Sequence, residues 1–162
     1  MTMKTSANAT IRPALPEEAR LISELALRSK GYWGYDQAFM DACLPLLTFS
    51  AAYITAHPVF VLEVAGAVVG FYSLLGSESE VELDNLFVDP DAIGRGYGKR
   101  LFRHAVATAA RLGFRRMVIE SDPHAEAFYR AMGAVRCGER LSPISAARRL
   151  PLMYVSLAPD NE

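Results

Sequence analysis

A glycine-rich loop between a strand pattern and a helix pattern constrains this chain more than any other feature. Apolar and polar residues alternate over Val81–Val88, and a proline turn follows at Pro90. The loop Gly94–Gly98, with the sequence Gly-Arg-Gly-Tyr-Gly, then opens directly onto an amphipathic helix that runs to about Leu112. The first N–H groups of a helix lack intrahelical partners, and glycines let a ligand approach the backbone closely. The sequence therefore predicts an anion site at this helix start, with phosphate as the favoured ligand.

Composition limits the classes of protein to which the chain can belong. With 162 residues and 51% hydrophobic content, we expect a single domain over residues 1–162, with a flexible tail at residues 1–8. Because 17 Lys and Arg residues nearly balance 18 Asp and Glu residues, no overall charge favours nucleic acid or an acidic membrane. The chain shows neither an apolar signal segment nor a run long enough to span a bilayer, so we expect a cytoplasmic protein. Cys43 and Cys137 fit no metal or disulfide spacing, which predicts reduced, buried thiols and no metal site.

The remaining periodicity predicts an α/β chain built around one mixed sheet. The elements follow in the order strand, helix, helix, three strands, helix, strand, helix and two strands. Asp36 is a good N-cap for the second helix, and Pro45 should break or kink that helix because it lacks a backbone donor. The ligand is expected at the strand ends near the glycine loop.

Two common phosphate loops do not match the glycine spacing. A Walker A loop needs four residues between its first glycine and Gly-Lys-Ser/Thr, whereas three separate Gly94 from Gly98-Lys99, and no hydroxyl follows to bind magnesium. A dinucleotide fingerprint needs Gly-x-Gly-x-x-Gly after the first strand of its unit, whereas this loop follows the fourth predicted strand. ATP hydrolysis and NAD binding are therefore disfavoured.

The loop and its flanks resemble the GCN5-related N-acetyltransferase (GNAT) family. That family has a Q/R-x-x-G-x-G/A loop after a strand ending in a hydrophobic-x-Val pattern, which is similar to Leu86-Phe87-Val88 followed by Ile93–Gly98. Ile93 departs from the usual Gln or Arg, although the loop works mainly through backbone N–H groups. A second segment, Ala125–Ala134, resembles the family's A-x-x-F/L-Y-x-x-x-G-F/A motif. The resemblance covers about Ile11 to Leu157 and is strong from Glu82 to Ala134.

The resemblance implies a fold, a co-substrate and a binding site for it. The implied fold is a mixed, mostly antiparallel sheet of about seven strands flanked by about four helices, and homodimers are common among such proteins. Acetyl-CoA is the implied co-substrate, with no metal. Backbone groups at the fourth strand end would hold the pantetheine and the acetyl oxygen, and the loop would hold the pyrophosphate. The implied cofactor contacts are Leu86, Phe87, Val88, Gly94, Arg95, Gly96, Tyr97, Gly98, Lys99 and His124.

Candidate catalytic groups follow from the needs of acetyl transfer to an amine. By resemblance Tyr129 would protonate the departing thiolate, since a phenol stays protonated at neutral pH; packing beside Phe128 is the alternative reading. Glu82 lies where histone-type relatives carry a catalytic glutamate, and Asp84 lies two residues later on the strand. His124 is a further candidate base because imidazole shuttles protons near neutral pH, and a water chain is another alternative.

Three aromatic residues predict the acceptor pocket. Tyr32, Trp33 and Tyr35 lie between the first two predicted helices, where the resemblance puts acceptor contacts, and aromatic rings can face a cation. Core packing or a dimer contact would explain the same residues. The resemblance implies direct transfer of an acetyl group to a primary amine of a small molecule or peptide. The alternative is a non-catalytic module that binds acyl-CoA.

Overall fold

The structure, a computed structural model, describes residues 8–145 and 147–157, and these form a seven-stranded sheet with helices on both faces. The predicted flexible tail therefore lies outside the described residues, except for Asn8. The strands are β1 (Ala9–Pro13), β2 (Val59–Val64), β3 (Ala67–Ser77), β4 (Glu80–Val88), β5 (Arg116–Glu120), β6 (Val135–Leu141) and β7 (Arg149–Ser156). The helices are α1 (Ala19–Gly31), α2 (Gln37–Cys43), α3 (Ala51–Ala56), α4 (Tyr97–Arg111) and α5 (Glu126–Ala131).

The strand order is β1-β2-β3-β4-β5-β7-β6. Each neighbouring pair is antiparallel except β4 and β5, which are parallel. This arrangement confirms the prediction of a mixed, mostly antiparallel sheet of about seven strands. Strands β2 and β3 form a hairpin, and its two-residue turn has positive φ at Ala65 (53°) and Gly66 (84°), as a type I′ turn requires.

The helices follow the predicted pattern with one addition. Helix α2 ends at Cys43 and continues as a 3₁₀ turn over Leu44–Leu47, which is the interruption expected from Pro45. Helix α3 was not predicted, so the described residues contain five α-helices rather than about four. With six residues, α3 is too short to show a helical period in the sequence, although the Ser50 side chain caps it by accepting a hydrogen bond from the Tyr53 backbone N–H.

Two hydrophobic clusters bury the two faces of the sheet. Helix α4 contributes Leu101, Phe102 and Ala105 to one cluster, together with Leu74 and Met117 from the strands. The other cluster contains Ile22 and Leu25 of α1, Ile54 of α3 and Phe71 of β3. Within the described residues, no helix is both long and apolar enough to cross a membrane.

The two parallel strands separate at the centre of the sheet. Strand β4 pairs with β5 only over Glu80–Glu82, opposite Arg116–Val118. Beyond this point β4 continues along β3, and β5 continues along β7. A bulge shifts the β3–β4 register, because Leu74 pairs with Leu83 but Ser73 pairs with Asn85. The bulge changes the alternation of side chains along β4, and the separation opens a cleft between the strand ends.

Candidate active site

The cleft has a volume of about 630 Å³ and lies where β4 and β5 separate. The end of α1, the start of α5 and the β6–β7 connection complete its walls. Ten of the predicted site residues line it: Tyr32, Trp33, Glu82, Asp84, Leu86, Phe87, Val88, Gly98, His124 and Tyr129. Six others are not part of its lining: Tyr35, Gly94, Arg95, Gly96, Tyr97 and Lys99. Predicted site residues from distant parts of the sequence therefore line the same cleft.

The glycine loop shapes the rim of the cleft next to α4. Gly94 (φ 88°) and Gly96 (φ 81°) have left-handed backbone conformations that side chains disfavour, and Gly96 is the N-cap of the 15-residue helix α4. Among residues 8–145 and 147–157, no side chain caps this helix start, so its first N–H groups stay available to an anion. Exposed Arg95 and Lys99 add positive charge beside these donors. The arrangement is suited to a phosphate group.

Gly70 on β3 allows α4 to pack closely against the strands below the loop. A Cβ atom at this position would lie 2.8 Å from Leu101 Cδ1 and 3.0 Å from the Phe87 carbonyl oxygen. Both distances are shorter than ordinary packing contacts allow. The absence of a side chain at Gly70 therefore helps to set the position of the α4 start relative to the end of β4.

Tyr129 on α5 is 93% buried, yet it lines the cleft. Within residues 8–145 and 147–157, its hydroxyl makes no side-chain hydrogen bond. Burial, with a smaller contribution from the Asp122 carboxylate, raises the pKa of Tyr129 above the ordinary value for a phenol. The hydroxyl is therefore neutral at physiological pH and can donate its proton to a group in the cleft.

Glu82 is half-buried and is the last residue of β4 that pairs with β5. Burial and the nearby carboxylates of Glu120 and Asp84 raise its pKa above the ordinary value, while Arg140 acts in the opposite direction. No hydrogen bond to the Glu82 carboxylate is present in the described part of the chain. A carboxylate with a raised pKa and free oxygens is a stronger and more accessible base than an ordinary one.

Asp84 has a different environment from Glu82, although both line the cleft. Its carboxylate accepts hydrogen bonds from the Tyr53 hydroxyl and from Asn85 Nδ2, the latter at 3.1 Å. Both donors also contact the buried Ser73 hydroxyl, at 2.9 Å from Tyr53 and 3.0 Å from Asn85. These contacts fix the Asp84 carboxylate at the bulge. Tyr53 belongs to α3 and was missed by sequence reasoning, because nothing in its local pattern connects it with β4.

The predicted aromatic residues form the outer wall of the cleft, and His124 joins them. The Trp33 and His124 rings are stacked with 4.9 Å between centroids and 3° between planes, and Tyr32 packs edge-on against Trp33 at 5.2 Å. Tyr35 packs against Phe39 at 4.0 Å and meets the edge of His124 at 5.6 Å. Tyr35 therefore supports the wall from behind, while Tyr32, Trp33 and His124 face the cleft.

A charged cluster around Asp122 lines the cleft beside this aromatic wall and was not predicted. The Asp122 carboxylate accepts hydrogen bonds from Lys30 Nζ at 2.5 Å, the Tyr35 hydroxyl at 2.9 Å and Arg148 Nη2 at 3.3 Å. Burial alone would raise the pKa of Asp122, but the Lys30 ammonium and the other donors hold it below its ordinary value. No local signal could have joined three elements so far apart.

Comparisons with known proteins agree with the fold. A model of the acetyltransferase (GNAT) family matches residues 22–134. The 5-NmdU N-acetyltransferase of Pseudomonas phage PaMx11 is 32% identical over 133 residues, which cover 81% of this chain and 90% of that protein. A GCN5-related N-acetyltransferase structure from Rhodopseudomonas palustris has a TM-score of 0.78 at 21% identity, covering 96% of this chain and 100% of that one. The yncA structure from Salmonella typhimurium, determined with acetyl-CoA, has a TM-score of 0.69 at 23% identity and covers 96% and 98% of the two chains.

Proposed function

The chain belongs to the acetyltransferase (GNAT) family and is an acetyl-CoA-dependent N-acetyltransferase, and we propose that it transfers the acetyl group directly to a primary amine of a small molecule or peptide. One observation carries the proposal. Glu82, Tyr129 and the free end of β4 line one cleft, and the uncapped start of α4 lies at its rim. A base, an acid, backbone donors and a phosphate site are the groups that such a transfer needs.

The donor side of the cleft would hold the co-substrate through backbone groups. Beyond Glu82, the edge of β4 that faces β5 has no strand partner in the described residues, so its N–H and C=O groups can bind an extended pantetheine arm. The first N–H groups of α4, with Gly96 and Gly98 leaving room, would bind the pyrophosphate. Backbone N–H groups near Leu86–Val88 would stabilise the negative charge that develops on the acetyl oxygen.

Two side chains would move the protons. The Glu82 carboxylate accepts a proton from the acceptor ammonium, directly or through one water, and its raised pKa suits that role. The neutral amine then attacks the acetyl carbonyl carbon, a C–N bond forms and the C–S bond breaks. The Tyr129 hydroxyl donates its proton to the departing sulfur, and the resulting phenolate takes up, directly or through water, the second proton that the attacking nitrogen loses as it becomes an amide. Asp84 and His124 line the same cleft and are the alternative bases, although the hydrogen bonds of Asp84 favour a fixed, supporting role.

The alternative is a module that binds acyl-CoA without turning it over. A thiol-release assay with acetyl-CoA separates the two functions when it is run across amino acids, polyamines, amino nucleosides and lysine peptides. We expect release that depends on one class of acceptor, and an acetylated product that mass spectrometry detects. Calorimetric binding of acetyl-CoA with no release in any class would instead support the binding module, while binding of magnesium-ATP in preference to acetyl-CoA would contradict both.

A further inference from the structure

We propose that the acceptor amine carries an acidic group, a carboxylate or a phosphate, and that Arg148 and Lys30 bind this group in the cleft. The inference rests on the proposed function and specifies its substrate class. Arg148 lies on the β6–β7 connection and Lys30 near the end of α1, and both line the cleft that contains Glu82 and Tyr129. Neither residue belongs to the loop or to the strand end that would hold acetyl-CoA.

The first argument is the charge balance of the cluster. The two cations share one carboxylate, that of Asp122, and the side chains of Lys30, Arg148 and Asp122 are only 16%, 18% and 15% exposed. No other carboxylate in the described residues forms an ion pair with either cation. A partly buried cluster with surplus positive charge is costly, because desolvated charges need partners. An anion entering the cleft would supply the missing negative charge.

The second argument is the unused hydrogen-bonding capacity of Arg148. Its Nη2 atom donates to the Tyr35 hydroxyl at 2.6 Å and to Asp122 at 3.3 Å. In the described part of the chain, Nε and Nη1 have no acceptor, and the residue lines the cleft. A guanidinium fork binds carboxylate and phosphate oxygens with two parallel hydrogen bonds. Arg148 therefore keeps donors free for a ligand.

The third argument is that Arg148 is held in place before any ligand binds. Its guanidinium carbon lies 5.1 Å from the centroid of the Tyr35 ring and 4.8 Å from that of Phe39, which are themselves stacked. Lys30 Nζ lies over the same two rings at 5.3 Å and 5.7 Å. Contacts of this kind fix a cation on an aromatic surface. A preorganised cation loses little entropy on binding and can discriminate between ligands.

The opposite charge is also present in the cleft. Glu82 and Glu120 lie on neighbouring strands, and both line the cavity. Glu120 is ion-paired with Arg140 at 2.6 Å, whereas Glu82 has no ion pair in the described residues. The Glu82 carboxylate would therefore attract the ammonium group of the acceptor, while Arg148 and Lys30 would attract its acid group. An acceptor with both charges satisfies both clusters, whereas a simple amine leaves the cationic cluster without its anion. The cleft therefore favours amino acid-like or amino nucleotide-like acceptors over neutral-tailed amines.

Matched acceptors test the inference in the wild-type protein. Each pair would differ only in the acid: an amino acid and its amide, and an amine-bearing nucleoside 5′-monophosphate and its nucleoside. We expect kcat/KM to be about 10- to 100-fold higher for the acidic member of at least one pair, mainly through KM. The first pair tests whether the cleft recognises a carboxylate, and the second pair tests whether it recognises a phosphate. Equal kcat/KM values within both pairs would overturn the inference while leaving the proposed function intact.

Two variants then assign the preference to Arg148. In Arg148→Met the preference for the acidic member should fall to about twofold or less, with the calorimetric Kd for acetyl-CoA unchanged. Arg149→Met is the matched control, because Arg149 is next in sequence, is 63% exposed and is absent from the cleft lining. Its preference should equal that of the wild type. A preference that survives in Arg148→Met, when acetyl-CoA binding shows that this variant is folded, would contradict the assignment.

Binding measurements cover the case in which no acceptor is acetylated. That outcome would count against the proposed function, and the calorimetric Kd of each acceptor pair for the protein saturated with coenzyme A would still test the inference. Tighter binding of the acidic member, lost in Arg148→Met, supports the anion site without turnover. Equal or undetectable binding of both members overturns it.

Discussion

The Tyr53 hydroxyl donates a hydrogen bond to the Asp84 carboxylate, whereas the Glu82 carboxylate, two residues earlier on β4, accepts none from the described residues. Burial and the Asp84 carboxylate raise the pKa of Tyr53, so this hydroxyl remains a donor. The bulge between Leu83 and Asn85 places Asp84 against α3. The two strand carboxylates thus have different environments, and this difference supports the proposal that Glu82 is the base.

We predict that Glu82→Gln lowers kcat/KM by about 100-fold and removes the acidic limb of its pH profile. Because burial and neighbouring carboxylates raise the pKa of Glu82, the wild-type kcat/KM should fall as pH decreases through a value above that of an ordinary glutamate. Below that pH the carboxyl group is protonated and cannot accept a proton. Initial rates of thiol release between pH 5 and 9 measure the profile.

Asp84→Asn is the companion variant for this test, because an amide oxygen can still accept the hydrogen bond from Tyr53. We expect it to keep the acidic limb, whatever its effect on the rate. Loss of the limb in Asp84→Asn, with the limb retained in Glu82→Gln, would exchange the roles of the two residues.

Tyr129→Phe should lower kcat by about 100-fold or more and leave the Kd for acetyl-CoA unchanged, because the variant loses only the proton donor. Stopped-flow thiol release and calorimetry measure the two quantities. Tyr154→Phe is the matched control: Tyr154 stacks beneath Arg116, with 3.9 Å from the guanidinium carbon to the ring centroid, and does not line the cleft. It should retain wild-type kcat. An unchanged kcat in Tyr129→Phe would remove this hydroxyl from the mechanism.

Gly96→Ala should weaken acetyl-CoA binding by about tenfold or more, because a Cβ strains a left-handed backbone that presents the N–H groups of α4. Gly113→Ala is a close control at the other end of the same helix. Gly113 also has positive φ (93°), and a Cβ at either position would meet no atom within 4 Å. Thermal melts should show similar losses of stability for both variants, and calorimetry should show weaker binding only for Gly96→Ala. Equal Kd values of the two variants for acetyl-CoA would indicate that the pyrophosphate does not bind at the start of α4.

The sequence was sufficient for features that depend on local pattern. The β4 strand, the loop and α4 are contiguous, so alternation, glycine spacing and helical period located them, and the interruption of α2 followed from Pro45 alone. Helix α3 was not predicted because its six residues, fewer than two turns, bury too few side chains to create a helical period in the sequence. The bulge at Asp84 was not predicted because the β3–β4 register depends on both strands and cannot be read from β4 alone.

The charged cluster around Asp122 depends on contacts that no local pattern contains. The hydrogen bond from Arg148 to Tyr35 joins residues 113 positions apart, and the ion pair of Lys30 with Asp122 joins residues 92 positions apart. Tyr35 was selected for its aromatic ring, but its hydroxyl acts here as part of a charged cluster. Residue types can suggest such candidates, whereas the folded chain alone determines which of them meet.

Finally, the environment of His104 predicts that the folded protein is less stable in mild acid. Its ring lies between Tyr72, whose hydroxyl is 2.7 Å from Nδ1, and Phe60, with 5.0 Å between ring centroids, and burial and Arg111 lower its pKa. The unfolded chain therefore binds a proton at higher pH than the folded one, so the free energy of unfolding should decrease as pH falls from about 7 toward 5. His104→Gln should remove part of this slope in urea titrations at fixed pH. His57→Gln is the control, because the His57 ring packs against Tyr53, with 4.8 Å between centroids, and makes no hydrogen bond within the described residues. An identical slope in His104→Gln and the wild type would contradict the prediction.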